Sequence, residues 1–523
     1  MNKHEKCHCC PPAAPEISES QFRVNRRSFL AGSSAMGAFL GGLSMTSILQ
    51  GAAAEEVPMP AGRTPLVVKP ILVHDLPVRH EGTSWRNWGG VDSPEAAAEE
   101  VKRITEELAG IRQNADFPVE FLEVISTTNL GDKLDHPDVV KADLILVYAA
   151  GYNFFAAKDI PKDVIVFQRW KSGPVYLGYE TISARFLRQH SDFHGVPNIQ
   201  PDDVVTDSLD ELTWRLRSLC GLKNAKNSKV MTIGGASGWC CGEAPGLAEN
   251  IWGYQFHDIS YNELGKLIEA AKNDPAIVAQ AAARAEAYLN IPNTTLETKK
   301  EFVVNCFVLD RVFRNLLKEA GCRNMTINHC MGTIMGVAKT AACLTLSTLN
   351  DDGYLAFCES DFVVIPSGIL LANISGKPVF LNDPTYPNDQ IVTSAHCTGP
   401  RKMDGKTYEP TRVVTHFESD YGAAPKVEFA LGTINTNIAP DFAAKRWVGF
   451  MGVVDEVPFR PICRTQLDIR YTCPSLMLAE RMPGFHWMFG YGDYMKEVGY
   501  ALRRVGIQWD NLDAVPVAEG ARK

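Results

Sequence analysis

The 523-residue chain has no long block of charge of one sign, no internal repeat and no low-complexity segment beyond its N-terminal region. Its 52 basic and 61 acidic residues are interspersed and leave a net charge of −9, which argues against a nucleic-acid-binding protein. The fourteen cysteines follow no regular spacing, so a disulfide framework is excluded as the organising principle. Where Val230-Met231-Thr232-Ile233 runs into Gly234-Gly235-Ala236-Ser237-Gly238, neither GxGxxG nor GxxxxGK[ST] is formed. A tight turn beside an interdomain cleft is expected there rather than a nucleotide site. What remains, with 45% hydrophobic, 22% charged and 9% aromatic residues, is the composition of a soluble globular protein with material for about two to four domains.

The N-terminal region is a targeting segment. Arg26-Arg27-Ser28-Phe29-Leu30 opens a stretch without charge that ends in Ala52-Ala53-Ala54 before Glu55, the pattern of a twin-arginine signal peptide. The run is long enough to span a bilayer. Its glycines make it weakly apolar, however, and the small-residue cleavage signature follows directly, so cleavage is expected over retention as an anchor. A periplasmic or extracellular location follows, with no stable membrane insertion after cleavage. Removing residues 1–54, with five basic and three acidic residues, leaves 469 residues at a net charge of −11. Cys7, Cys9 and Cys10, beside His4 and His8, leave with the signal, and most of the eleven remaining cysteines are expected to be buried thiols. The vicinal pair Cys240-Cys241 is read as two packed thiols, with a redox switch as the alternative.

Past the signal, apolar runs of strand length alternate with amphipathic helices. Leu66 to Val73 reads as a strand. Ser93-Pro94 then supplies an N-cap and a proline at the first helical position, followed by Ala97, Val101, Ile104, Leu108 and Ile111 on one face. Phe117 to Val124, Ala142 to Ala149 and Val164 to Phe167 are further strands, and Asp207 to Leu222 a helix. A second α/β unit starts at Lys229, with helical stretches Asn262 to Asn290 and Thr295 to Ala320 and strands Met325 to Asn328, Tyr354 to Phe357 and Pro378 to Leu381. Thereafter the pattern is of short strands: Gln390 to Ala395, Arg412 to Phe417, Val427 to Gly432 and Trp447 to Val453. A closing helix runs from Met495 to Val505. The expected architecture is α/β: two doubly wound, Rossmann-like domains at 55–228 and 229–374, then a β-rich, barrel-like domain at 375–523.

Two acidic residues follow strands in matching contexts, Glu359 in Phe357-Cys358-Glu359-Ser360-Asp361 and Asp383 in Leu381-Asn382-Asp383-Pro384. Adjacent parallel strands would set them side by side. Paired carboxylates share a proton or bind a cation, and hard oxygen ligands favour Mn²⁺ or Mg²⁺. His396, His416 and His486 are candidate third ligands, and spacing alone does not choose among them.

The ordered motifs Ala342 to Gly353, Cys358-Glu359-Ser360-Asp361, Gly376-Lys377-Pro378-Val379-Phe380 with Asp383, Ala395-His396-Cys397-Thr398, Thr415-His416-Phe417-Glu418-Ser419 and His486-x-x-x-x-Tyr491-Gly492-Asp493 resemble the L-fucose isomerase-like family, relatives of the L-fucose and L-arabinose isomerases. The resemblance covers about residues 340 to 510. It implies a homo-oligomer, trimer or hexamer, with active sites near subunit contacts, and Mn²⁺ held by Glu359, Asp383 and His486, with His396 as the alternative histidine. His396, His416 and Glu418 become substrate-contacting candidates. The implied chemistry is aldose–ketose isomerisation through a cis-enediol, with Glu359 and Asp383 as acid/base groups and a small-molecule carbohydrate as substrate. An exported address and extra prolines in Phe362 to Leu371 and Asp383 to Asn388 depart from the family pattern and point to a divergent member. An exported carbohydrate-binding protein, or a metal-dependent sugar lyase or epimerase, are the competing readings.

Overall fold

The computed structural model describes residues 57–86, 89–188 and 198–513. The twin-arginine signal and the Cys7–Cys10 group lie outside the described residues. The chain is mixed α/β, with parallel-strand sheets and a closed six-strand antiparallel β-barrel.

The first parallel sheet comprises β1 (Leu66–Val73), β2 (Val119–Phe121), β3 (Ile125–Thr127), β4 (Leu144–Ala149), β5 (Asp163–Gln168) and β6 (Val204–Thr206). Its order is β2-β1-β4-β5-β6, with β3 also paired to β1. The single strand expected over 117–124 is therefore β2 alone, and β3 continues the pairing further along β1. Every residue of β4 is buried, as its nearly unbroken apolar sequence requires of a strand covered on both faces. Helix α1 (Pro94–Asn114) begins where Ser93 Oγ accepts from the Ala96 amide and Pro94 occupies the first turn. It buries Ala97, Ile104, Leu108 and Ile111. Helix α2 (Leu209–Ala225) starts on a Ser208 cap.

The second parallel sheet takes β7 (Lys229–Ile233) and β8 (Gln255–Ile259), passes over the short β9 (Thr294–Leu296), and adds β10 (Asn324–Ile327) and β11 (Leu355–Cys358) in the order β11-β10-β7-β8. Helix α3 (Ala244–Trp252) follows β7. The helix expected over 262–290 is two, α4 (Tyr261–Lys272) and α5 (Pro275–Leu289). Asp274 accepts from the Ala276 and Ile277 amides ahead of Pro275, so a new helix starts there. Helix α6 (Lys300–Ala320) begins after β9 rather than at Thr295. Helices α7 (Cys343–Asp351) and α8 (Ile365–Ser375) flank β11 in sequence and are buried along their whole length.

The barrel is built from β12 (Phe380–Pro384), β13 (Ile391–His396), β16 (Ile434–Pro440), β17 (Arg446–Glu456), β18 (Thr465–Tyr471) and β19 (Trp487–Tyr491). They run in the order β16-β19-β12-β13-β18-β17, and β16 pairs back onto β17 to close the ring. Between them β14 (Thr411–His416) and β15 (Tyr421–Val427) form a hairpin that pairs with β9. The strand expected at Val427 to Gly432 is absent, because β15 ends at Val427. Phe380, Phe429, Phe450, Leu467, Trp487 and Phe489 fill the barrel, which is thus a packed core and not a channel. β12 is the main departure from expectation. It is the first barrel strand, antiparallel to β13 and β19, not a parallel neighbour of β11.

After the barrel the chain packs a helix back onto the first α/β unit. Helix α9 (Met495–Arg503) packs on α2, where Ser218 Oγ donates to the Glu497 carbonyl (2.6 Å) and Arg217 pairs with the Glu497 carboxylate (2.8 Å). The Tyr500 hydroxyl donates to Asp203 (2.8 Å), and β20 (Gln508–Asn511) pairs with β17. Among the described residues no single helix is long and apolar enough to cross a membrane.

Helix α8 touches α2 nearly backbone to backbone: a Cβ on Gly221 would lie 2.3 Å from Ile374 Cγ1 and 2.9 Å from its Cα. Gly221→Ala must force the two helices apart, and the expected cost is about 1–3 kcal/mol. Differential scanning calorimetry should show a lowered first unfolding transition, and an unchanged transition would contradict this packing.

Candidate metal centre

The carboxyl end of β11 faces the rim of the barrel. Cys358 ends β11, and Glu359 and Ser360 then adopt left-handed backbone, with φ of 66° and 53°. Such geometry costs a non-glycine residue roughly 1–2 kcal/mol, and the surroundings hold it in place. The Ser360 amide donates to Thr326 Oγ1 (3.1 Å), its hydroxyl donates to the Gly235 carbonyl (2.9 Å), and the Ser237 amide donates to its carbonyl (3.2 Å). The glycine-rich turn after β7 is therefore a brace for the Glu359 turn. Gly234, at φ 77°, is required in that brace, since a Cβ there would lie 2.7 Å from Tyr261 Cε2.

The barrel contributes the facing groups from neighbouring strands. Asn382 on β12 is opposite Trp487 on β19, so one step further along the register Asp383 lies opposite His486. Asp383 is in turn opposite Ala395 on β13, next to His396. The result is a tight cluster. His486 Nε2 is 3.3 Å from Glu359 Oε2 and 3.2 Å from Asp383 Oδ1, and His396 Nε2 is 3.4 Å from Glu359 Oε1. One ligand atom each from Asp383, His396 and His486 lie within 4.8 Å of one another, as do those of Cys358, Glu359 and His396. The expectation that Glu359 and Asp383 sit on adjacent parallel strands is thus corrected. They meet across His486, one from a parallel sheet and one from the barrel.

Asp361, which no sequence signal marks as functional, fixes the orientation of His486. Its Oδ2 accepts from His486 Nδ1 at 2.6 Å, while Oδ1 accepts from the Val363 amide at 3.0 Å. With Nδ1 carrying that proton, Nε2 is the atom presented to Glu359 and Asp383. The Nδ1 of His396 is engaged by Thr398 Oγ1 at 3.2 Å, which likewise leaves Nε2 for the cluster. His416 is buried but lies to one side, with Nδ1 on Ser419 Oγ (3.0 Å) and its ring against the Cys397 thiol. Glu418 stands exposed in the turn between β14 and β15.

Both imidazoles are almost inaccessible, whereas Glu359 and Asp383 keep 25% and 33% of their side chains exposed. The cluster is reached from solvent through the carboxylates. Burial alone would raise the pKa of Glu359, but the contacts with His396 and His486 outweigh it and hold the carboxyl well below its usual range. Burial likewise opposes protonation of the histidines. Contact with Glu359 and the charge of Asp383 nevertheless lift His396 to about 9, and Asp361, Asp383 and Glu359 lift His486 well above its ordinary value.

His396 Nε2, His486 Nε2 and Asp383 Oδ1 are buried without a hydrogen-bond partner of acceptable geometry. Orphaned donor atoms that converge in this way fit a cation, and carboxylate oxygens with neutral imidazoles suit Mn²⁺, Mg²⁺ or a similar divalent ion. No family model matches the chain, and no curated protein matches it.

Asp361→Asn should weaken Mn²⁺ binding by about 10- to 100-fold by isothermal titration calorimetry, with unchanged circular dichroism; unchanged affinity would remove Asp361 from the site. Because the histidines bind metal only when neutral, apparent Mn²⁺ affinity should rise as pH increases towards about 9, the value for His396. Titrations in buffers of different ionisation enthalpy should show proton release, and pH-independent affinity would exclude both imidazoles as ligands.

Proposed function

We propose that the chain is a metal-dependent, carbohydrate isomerase-like enzyme that interconverts an aldose and a ketose through a cis-enediol. The observation that carries this reading is the convergence of Glu359, Asp383, His486 and His396 on orphaned buried Oδ1 and Nε2 atoms, with only the carboxylates open to solvent. In the same proposal the two parallel sheets are Rossmann-like domains, the protein works as a trimer or hexamer, and the twin-arginine signal delivers it to the periplasm or beyond.

Glu359, Asp383, His486 and His396 would hold Mn²⁺ or Mg²⁺. When bound, such an ion polarises neighbouring carbonyl and hydroxyl oxygens and stabilises negative charge on them. The chain's own groups do the rest. One exposed carboxylate accepts the proton from the carbon beside the carbonyl and returns it to the neighbouring carbon, and the other shuttles the proton between the two oxygens. Asp361 keeps His486 from turning, so Nε2 stays fixed while the carboxylates change protonation state.

The test is metal analysis of the purified chain together with NMR in D₂O across a panel of aldoses and ketoses. Stoichiometric Mn²⁺ or Mg²⁺ and deuterium at C1 or C2 of a substrate are expected, and Glu359→Gln or Asp383→Asn should slow exchange by about 10²-fold or more. Exchange with loss of water from the sugar would assign a lyase, and inversion without isomerisation an epimerase. Sugar binding with neither metal nor exchange would assign a binding protein and overturn the proposal.

A further inference from the structure

One wall of the carboxylate–histidine cluster is apolar. Trp239 and Phe485 stack on each other with ring centroids 5.0 Å apart and planes inclined by 25°. Both meet the His486 imidazole nearly edge to face, at 5.2 Å and 4.9 Å. This is not an interior contact, since Phe485 is 49% exposed and Trp239 is only half-buried. The two rings arrive from separate loops, Trp239 from the end of the glycine-rich turn and Phe485 from the segment before β19.

Trp239 also sits in a backbone conformation that a bulky residue avoids, at φ 55°. The preceding turn leaves no room for relaxation, because a Cβ on Gly238 would lie 2.0 Å from the Cys241 carbonyl oxygen. Strain of this kind collects where a side chain is needed in a particular place. Here the place is against the buried His486 imidazole, whose Nε2 lies 3.3 Å from Glu359 and 3.2 Å from Asp383.

We propose that Trp239 and Phe485 form a stacking subsite for a sugar ring, with the C–H face of a pyranose or furanose lying on the aromatic pair while its hydroxyls reach Glu359 and Asp383. The subsite rests on the carbohydrate reading above and adds to it that the cyclic form is captured. Hydroxyl hydrogen bonds to the protein replace hydrogen bonds to water at little net gain. The aromatic wall supplies what they do not: apolar area removed from water, and an electronegative ring face against the electropositive C–H edge of the sugar.

Methyl glycosides of hexoses, 6-deoxyhexoses and pentoses are locked as rings and cannot isomerise, so they report capture alone. In saturation-transfer NMR with the Mn²⁺-loaded full chain, at least one should bind, with the strongest transfer to ring C–H protons. Trp239→Gly, which relaxes the left-handed backbone, and Phe485→Ala should each raise its Kd by about tenfold, with Trp239→Phe nearer the wild type. Mn²⁺ affinity, measured separately by calorimetry, should change far less. Failure of every glycoside to bind the wild type, unchanged glycoside Kd in both variants, or a parallel loss of Mn²⁺ affinity would overturn the subsite. Trp239-dependent glycoside binding by a chain that neither loads Mn²⁺ nor exchanges deuterium would keep the subsite and remove the isomerase.

Discussion

Three carboxylates, Glu359, Asp361 and Asp383, crowd one buried imidazole at 2.6 to 3.3 Å. Like charges at such density persist only with positive charge among them. Contact with these carboxylates raises the proton affinity of His396 and His486, and a divalent cation would compete with those protons for the same atoms. Much of the surrounding structure meets this requirement. The left-handed turn at Glu359 and Ser360, its brace on the glycine-rich turn, and the alignment of Asp383 with His486 all bring acidic groups closer than they would settle by themselves.

The division of labour between the two architectures is informative. The parallel sheet contributes Glu359 and Asp361 from the carboxyl end of its edge strand β11, where the backbone turns away and side chains gather. The barrel contributes Asp383, His396 and His486 from three adjacent strand ends, where hydrogen-bonded register sets their separation. Because the barrel interior is filled by aromatic side chains, its ligands can gather only at the rim. The parallel sheet is needed to complete the constellation.

Local features of this arrangement were legible in the sequence, and relational ones were not. Glu359 and Asp383 stood out because a carboxylate after an apolar run marks a strand end whatever the sheet. That same run, Val379 to Leu381, does not distinguish a parallel strand from a barrel strand, so the route by which the two carboxylates meet is not legible in the sequence. Asp361 gave no signal of its own, since its partner is 125 residues away and a buried aspartate looks in sequence like a solvated one. His396 and His486 read as alternatives, yet the strand order β19-β12-β13 brings both to one place. Glu418 next to His416 illustrates the converse: chain neighbours separate when a tight turn intervenes. The break between α4 and α5 rests on a two-residue cap, Asp274-Pro275, set inside a long run of helix-forming residues that reads as one helix.

The distance along the chain between Asp361 and His486 also sets a schedule for the molecule's birth. Contacts that close so long a span form late, after the local helices and hairpins, and His486 directly precedes the last strand needed to shut the barrel ring. A nascent or partly unfolded chain therefore possesses each ligand but not the constellation. Were the proposed ion held there, its capture would mark the finished protein and leave its folding intermediates untouched.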